Sequence, residues 1–261
     1  MLMDEERLEE SLLEIVATLS KVADARQRGY ALAERLNLFG ADLIIDAIKI
    51  IRERAFRGDA DCLRLYNALT VAGPLAETLG YEKLTQVADI AHQRGEFDIV
   101  AILRDIPSDR EYDRPHQPFL DAGLREIPIG ARKSLARKPD SRLMQRIAKD
   151  QDHRVIEHLL NNPRMTESEV IKIGSTRPTS PKVLDVISKH PRWISRYRVK
   201  KTIVFNPYSP LSLALRLVTY LGVPDLELLC SLAEVNEVLL AEARKLLLKK
   251  TEGMQQDYAL D

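Results

Sequence analysis

Apolar residues return at three- and four-residue steps along most of this chain, the spacing that places them on one face of an α-helix. Leu8, Leu12, Ile15, Val16, Leu19 and Val22 form one such stripe. Leu43, Ile44, Ala47, Ile48, Ile51 and Ala55 form a second, which stops before Gly58, a residue suited to end a helix. Leu63, Tyr66 and Leu69 continue the pattern, and the Gly73-Pro74 step interrupts it. Leu84, Val87, Ile90 and Ala91 then lead to Gly95, and a shorter stripe follows with Phe97, Val100 and Leu103. The two-residue alternation of a strand is missing. Residues 1–104 are therefore expected to form a bundle or stacked pairs of five or six helices.

The pattern breaks at 105–130, where Pro107, Pro115, Pro118 and Pro128 fall close together. Each proline removes a backbone donor and restrains the residue before it, so no long helix passes through. This stretch reads as a proline-rich connector, although a long connection can also be a functional loop.

From 131 onward a loose plan recurs: apolar residues, a polar gap, proline, then a new apolar run. It is seen in Leu135-Ala136-Arg137-Lys138-Pro139, Leu159-Leu160-Asn161-Asn162-Pro163, Ile173-Gly174-Ser175-Thr176-Arg177-Pro178 and Ile203-Val204-Phe205-Asn206-Pro207. Proline ends one helix, and a Ser, Thr or Asp beyond it can cap the next. Thr166 with Glu169 has the form of a capping box, while Ser180-Pro181 and Ser209-Pro210 look like a cap followed by a first-turn proline. Pro163 and Pro207 are 44 residues apart, the length of a two-helix repeat. Across that interval, Val155 with Asn162-Pro163 lines up with Val199 and Asn206-Pro207.

These phrases, over residues 131–222, resemble the bacterial variant leucine-rich repeat, a family similar to HEAT-like arrays. The resemblance implies a right-handed solenoid of short helices whose stacked surface holds partners, and it implies no catalytic residues. Some members carry an iron–sulfur module with clustered cysteines; Cys62 and Cys230 make no such cluster. The apolar faces of Leu226, Leu228, Leu229, Leu232, Val235, Leu239 and Leu240 predict capping helices that complete the array at 250, with 251–261 as a tail. The expected fold class is all-α: a helical bundle or stacked helix pairs, then a HEAT-like or variant leucine-rich α-solenoid.

Charge sharpens this division. The chain has 39 Lys+Arg and 39 Asp+Glu. Residues 1–130 hold 16 basic and 24 acidic side chains, 131–210 hold 18 and 7, and 211–261 hold 5 and 8. Neutrality is thus an average over net charges of −8, +11 and −3. At 45% hydrophobic and 30% charged, the composition excludes a globally disordered chain. The apolar run Ile99 to Leu103 is far short of the roughly 20 residues that span a bilayer. The opening Met-Leu-Met-Asp-Glu-Glu is acidic where a signal peptide needs a basic start, so the expected location is the cytoplasm, away from membranes.

The basic block supplies the candidate binding surface. One group is Arg132, Lys133, Arg137, Lys138 and Arg142; the other is Arg192, Trp193, Arg196, Tyr197, Arg198, Lys200 and Lys201. Basic side chains interleaved with aromatics suit a nucleic-acid backbone and its bases. The competing expectation places Trp193 in the core and pairs the charges with carboxylates. Asp150, Asp152, His153, Glu157 and His158 are the one mixed titratable cluster, read as a surface His153–Glu157 pair rather than a metal set. His92, His116 and His190 stand apart in sequence. Neither a nucleophile elbow nor a phosphate-binding loop is found, and both cysteines read as core residues. No catalytic residue, metal or cofactor is expected. The function expected is a non-enzymatic protein–protein interaction or scaffold role, with nucleic-acid binding by the basic face of 131–210 as the alternative.

Overall fold

The computed structural model describes residues 5–69, 73–108, 110–112 and 121–258. Among these, seventeen helices and no strands are found. The chain divides into two compact units, one of residues 1–105 with 248–261 and the other of residues 106–247.

The first unit contains α1 (Glu5–Leu19), α2 (Ala25–Leu36), α3 (Ala41–Phe56), α4 (Ala60–Leu69), α5 (Pro74–Gln93) and α6 (Phe97–Leu103). α3 packs against α1, α4 and α5, and buries Ile44, Ile45, Ile48 and Ile51. The stripe on α1 is turned inward through Leu8, Leu12 and Val16. On α4 the inward set is Cys62, Leu65, Tyr66, Ala68 and Leu69, whereas Leu63, expected on the stripe, is 38% exposed. At 100° per residue, Leu63 lies well round the helix from the arc shared by Cys62, Leu65, Tyr66 and Leu69. Asp24 caps α2 by accepting from Gln27 N at 2.8 Å, and Asp59 accepts from Asp61 N and Cys62 N at 3.0 Å each. Helix α2 comes close to its neighbours at Gly29, where a Cβ would stand 3.0 Å from Ala68 O. Gly80 interrupts α5 with φ 72°, a conformation that costs a residue with a Cβ, and this kink has no mark in the apolar spacing.

Arg52 is buried in this unit, 2% exposed. Its Nη1 donates to Asp98 Oδ1 and Oδ2 at 2.6 Å and, with Nη2, to Glu96 Oε2 at 3.1 Å. Lys49 pairs with Glu96 at 3.2 Å, and Tyr66 Oη donates to Asp98 at 3.4 Å. Two cations thus balance two carboxylates, tying α3 to the start of α6. Burial opposes the Arg52 charge, but Asp98 overcomes it and raises the guanidinium above its ordinary value.

The second unit is built from shorter helices: α7 (Ala122–Arg125), α8 (Ile129–Ala136), α9 (Ser141–Ile147), α10 (His153–Leu160), α11 (Glu167–Ser175), α12 (Pro181–Lys189), α13 (Pro191–Ile194), α14 (Tyr197–Val204), α15 (Leu211–Val218) and α16 (Val223–Ser231). α17 (Glu237–Tyr258) begins here, and its residues from Leu248 count with the first unit. Its helical backbone runs through most of the expected tail; 259–261 lie outside the described residues. Part of the expected connector is also ordered: Leu211 N and Ser212 N donate to Pro107 O and Ile106 O, and α7 lies within 105–130. Pro115, Pro118 and His116 lie outside the described residues.

Local capping follows the sequence at some starts and not at others. Asp140 caps α9, Asp152 caps α10, and Thr166 with Glu169 makes the full capping box on α11. Ser180 occupies the N-cap position of α12, but its hydroxyl makes no cap bond; Gln151 Oε1 takes the Ser180 N–H at 2.8 Å. At α15 the cap position belongs to Pro210, and Ser209 Oγ turns back to donate to Ile203 O at 2.6 Å. Leu228 on α16 and Leu232 at its C-terminal cap are 45% and 41% exposed, so the expected apolar face is partly open to solvent.

The aligned asparagines do the same work. Asn162 Nδ2 donates to Ala136 O and Lys138 O, both at 2.9 Å, while its Oδ1 accepts from Arg164 N at 3.0 Å. Asn206 Nδ2 donates to Gly174 O at 2.7 Å and Thr176 O at 3.1 Å, while its Oδ1 accepts from Tyr208 N at 3.0 Å. Each is buried and ties the turn after one helix (α10, α14) to the end of an earlier one (α8, α11). Asn162→Ala and Asn206→Ala are each expected to cost about 1–3 kcal/mol, because buried carbonyls lose their donors. Urea unfolding of the two variants checks this, with similar losses expected from both.

Candidate functional site

The twelve basic and aromatic residues singled out in the sequence all lie in the second unit, but they do not share one role. Arg132 on α8 is turned inward: its Nη1 meets Asp150 Oδ2 at 2.5 Å, with the Asp150 side chain 1% exposed. Burial pushes the Asp150 carboxyl up, against the hydrogen bond from Asp152 N and the charge of Arg132. Trp193 is core, 2% exposed, and its Nε1 donates to Leu160 O at 2.9 Å. Tyr197 Oη donates to Asp225 Oδ2 at 2.5 Å and accepts from Gly222 N at 3.0 Å. Lys201 meets Asp225 at 2.6 Å. Lys200 is half-buried with its Nζ 4.0 Å over the Tyr220 ring, and desolvation lowers its pKa. These four basic or hydroxyl-bearing groups and the tryptophan hold the fold.

Others face outward. Lys138, Arg142, Arg196 and Arg198 are exposed, and Arg192 lies 4.2 Å over the Trp193 ring while donating to Met165 O at 3.3 Å. Arg137 Nη2 stands 3.4 Å from both ring nitrogens of His158, so the guanidinium lies against the imidazole. His158 thus faces a cation, and among the described residues no ion pair joins His153 to Glu157. Burial, then Arg137 and Lys133, hold the His158 pKa below the ordinary imidazole value, with Glu157 acting the other way. Nothing in the spacing joins Arg137 to His158, since 21 residues separate them.

Comparison with known proteins finds no family model, curated sequence or solved structure that matches this chain.

A second feature of the unit is a cavity of about 310 Å3 whose lining includes Arg110, Arg177, Phe205, Leu229, Leu232 and Leu239. Arg177 Nη2 donates to Phe205 O at 2.5 Å, and Arg110 pairs with Glu234 at the lining. The sequence signal for it was hidden, because Leu229 and Leu232 read as ordinary helix-face residues.

Among the described residues, no group of three or more His, Cys, Asp or Glu could hold a metal ion, and no helix is long and apolar enough to cross a membrane. Cys62 is buried, and burial with the Asp59 contact pushes its thiol up to about 12. A thiol raised above its unfolded value stays protonated in the fold, so its contribution is present below pH 9.0 and is lost as pH rises toward about 12. Thiol labelling at pH 8 is expected to modify half-buried Cys230 first, with Cys62 reacting only on unfolding. Equal labelling rates for the two in the folded protein would contradict this.

Proposed function

We propose that the second unit is a helical-repeat array, of the HEAT-like or variant leucine-rich kind, and that the protein is a non-enzymatic scaffold that holds another protein. The observation that carries the reading is the clamp made twice, by Asn162 and by Asn206, at a spacing of 44 residues. Repeats that stack through equivalent contacts build an extended surface with no need of a catalytic centre. Leu228 on α16 and Leu232 at its C-terminal cap, one turn apart and both exposed, with Leu232 lining the cavity, are the apolar contacts on which a partner would close. The reading includes a cytoplasmic location.

The test is a photo-crosslinking amino acid in place of Leu232 in the native host, with the same probe at exposed Arg57 as a control. A discrete protein adduct from position 232 only, identified by mass spectrometry and reproduced with the purified partner, is the expected result. No adduct from either position, or the same adducts from both, would overturn the proposal.

A further inference from the structure

We propose that Lys133, Arg137, His158 and Arg192 form a row that binds the phosphate backbone of a nucleic-acid duplex without reading its bases, with the inward-turned His190 linking its two ends. The row is assembled by the fold from three places in the chain. Arg137, at the end of α8, lies against His158 on α10. One turn further on, at the C-terminal cap of α10, Asn161 Oδ1 is 3.3 Å from Nε2 of His190, which caps the end of α12. Arg192, on α13, follows over Trp193. The guanidinium groups of Arg137 and Arg192 are therefore joined through His158, Asn161 and His190 from one helix end to the next, as phosphates follow one another along a backbone.

The row is short of counter-charge. Among the described residues, Lys133, Arg137 and Arg192 make no ion pair, whereas Arg132, Arg146, Arg154, Lys189 and Lys201 each meet an aspartate. The charges acting on His158 are Arg137 and Lys133 from α8 and Glu157 from its own helix; on His190 the charge is Arg192. Burial and these cations hold both imidazoles below their ordinary value. An anion placed on the row relieves the repulsion and lets the His158 imidazole take up a proton.

Bases are left unread because the tryptophan beneath the row is not available to them. Trp193 is buried, its indole N–H is used by Leu160 O, and Arg192 covers a face of its ring. Single-strand binding relies on exposed aromatic platforms, whereas a duplex presents the denser phosphate array to cations alone.

The test is fluorescence anisotropy of the full chain with a labelled 20-base-pair DNA duplex, of two unrelated sequences, across a salt series. Binding that weakens steeply with salt and is equal for both sequences is the expected result. Arg137→Gln with Arg192→Gln should weaken it about tenfold and flatten the salt slope by about 1 for each removed contact, while Lys172→Gln, an exposed lysine on α11, leaves it within about twofold. The variants' melting temperatures show that the fold is kept. In parallel, the His158 imidazole proton signals, followed by NMR, should titrate at higher pH with duplex than without, and duplex affinity should rise from pH 7.5 to 6. No binding at low salt, equal loss from Lys172→Gln, tighter binding of the single strand, or tighter binding of a phosphopeptide would each overturn the proposal.

Discussion

Arg52→Met is expected to lower the unfolding free energy by about 3–5 kcal/mol, the largest single-site effect in the chain outside its apolar core. The arginine contributes less by attraction than by what its removal leaves behind. Asp98 has no exposed side-chain area, and Glu96 is also buried, so water does not replace the guanidinium. Tyr66 at 3.4 Å is a weak substitute for two contacts of 2.6 Å, and Lys49 reaches only Glu96. Urea unfolding followed by circular dichroism measures the loss. Arg52→Met combined with Glu96→Gln and Asp98→Asn should recover part of it, since the stranded charges are then gone. A loss from Arg52→Met below about 1 kcal/mol would show that the carboxylates regain solvent, contrary to their burial.

Trp193→Ala is expected to cost about 3–5 kcal/mol, the range for deleting a large buried side chain. The indole fills the space beside α12 and α13 and satisfies the Leu160 carbonyl at the end of α10. Trp193→Phe keeps most of the volume and leaves that carbonyl without its donor, so a smaller loss of about 1–3 kcal/mol is expected. The measurement is again denaturant unfolding, with duplex binding read on the same variants at a temperature where they remain folded. A core role predicts a large fall in stability and duplex affinity close to that of the unaltered chain. Unchanged stability with lost nucleic-acid binding would restore Trp193 as a stacking platform.

Much of the fold was legible because it rests on interactions of short reach. The Leu8–Leu12–Val16 stripe repeats within one helix, and the Thr166–Glu169 capping box closes over three residues. Both are properties of local sequence. Ser180 takes the N-cap position the sequence indicates and Ser209 does not, and the partners of both lie outside the three-residue span of a capping box. Gln151, nearly thirty positions before Ser180, takes the Ser180 N–H, and the Ser209 hydroxyl turns back to Ile203. The same distance hid the candidate site. Lys133, Arg137, Trp193 and Arg192 were in the expected set, but their chemistry depends on His158, His190, Asn161 and Leu160 in other helices.

The sequence by itself determined that the chain is all-helical, where most of its helices run, and that its positive charge is concentrated in 131–210, because apolar periodicity, capping and charge are written residue by residue. Only the tertiary structure decided which of those charges remain free. Arg132 and Lys201 are neutralised by Asp150 and Asp225, whereas Arg137 is set against an imidazole and Arg192 over an indole. The physical reason is that a charge is compensated by whatever packing brings within a few ångströms of it, and residues 18 to 24 positions apart become such neighbours only when the helices stack.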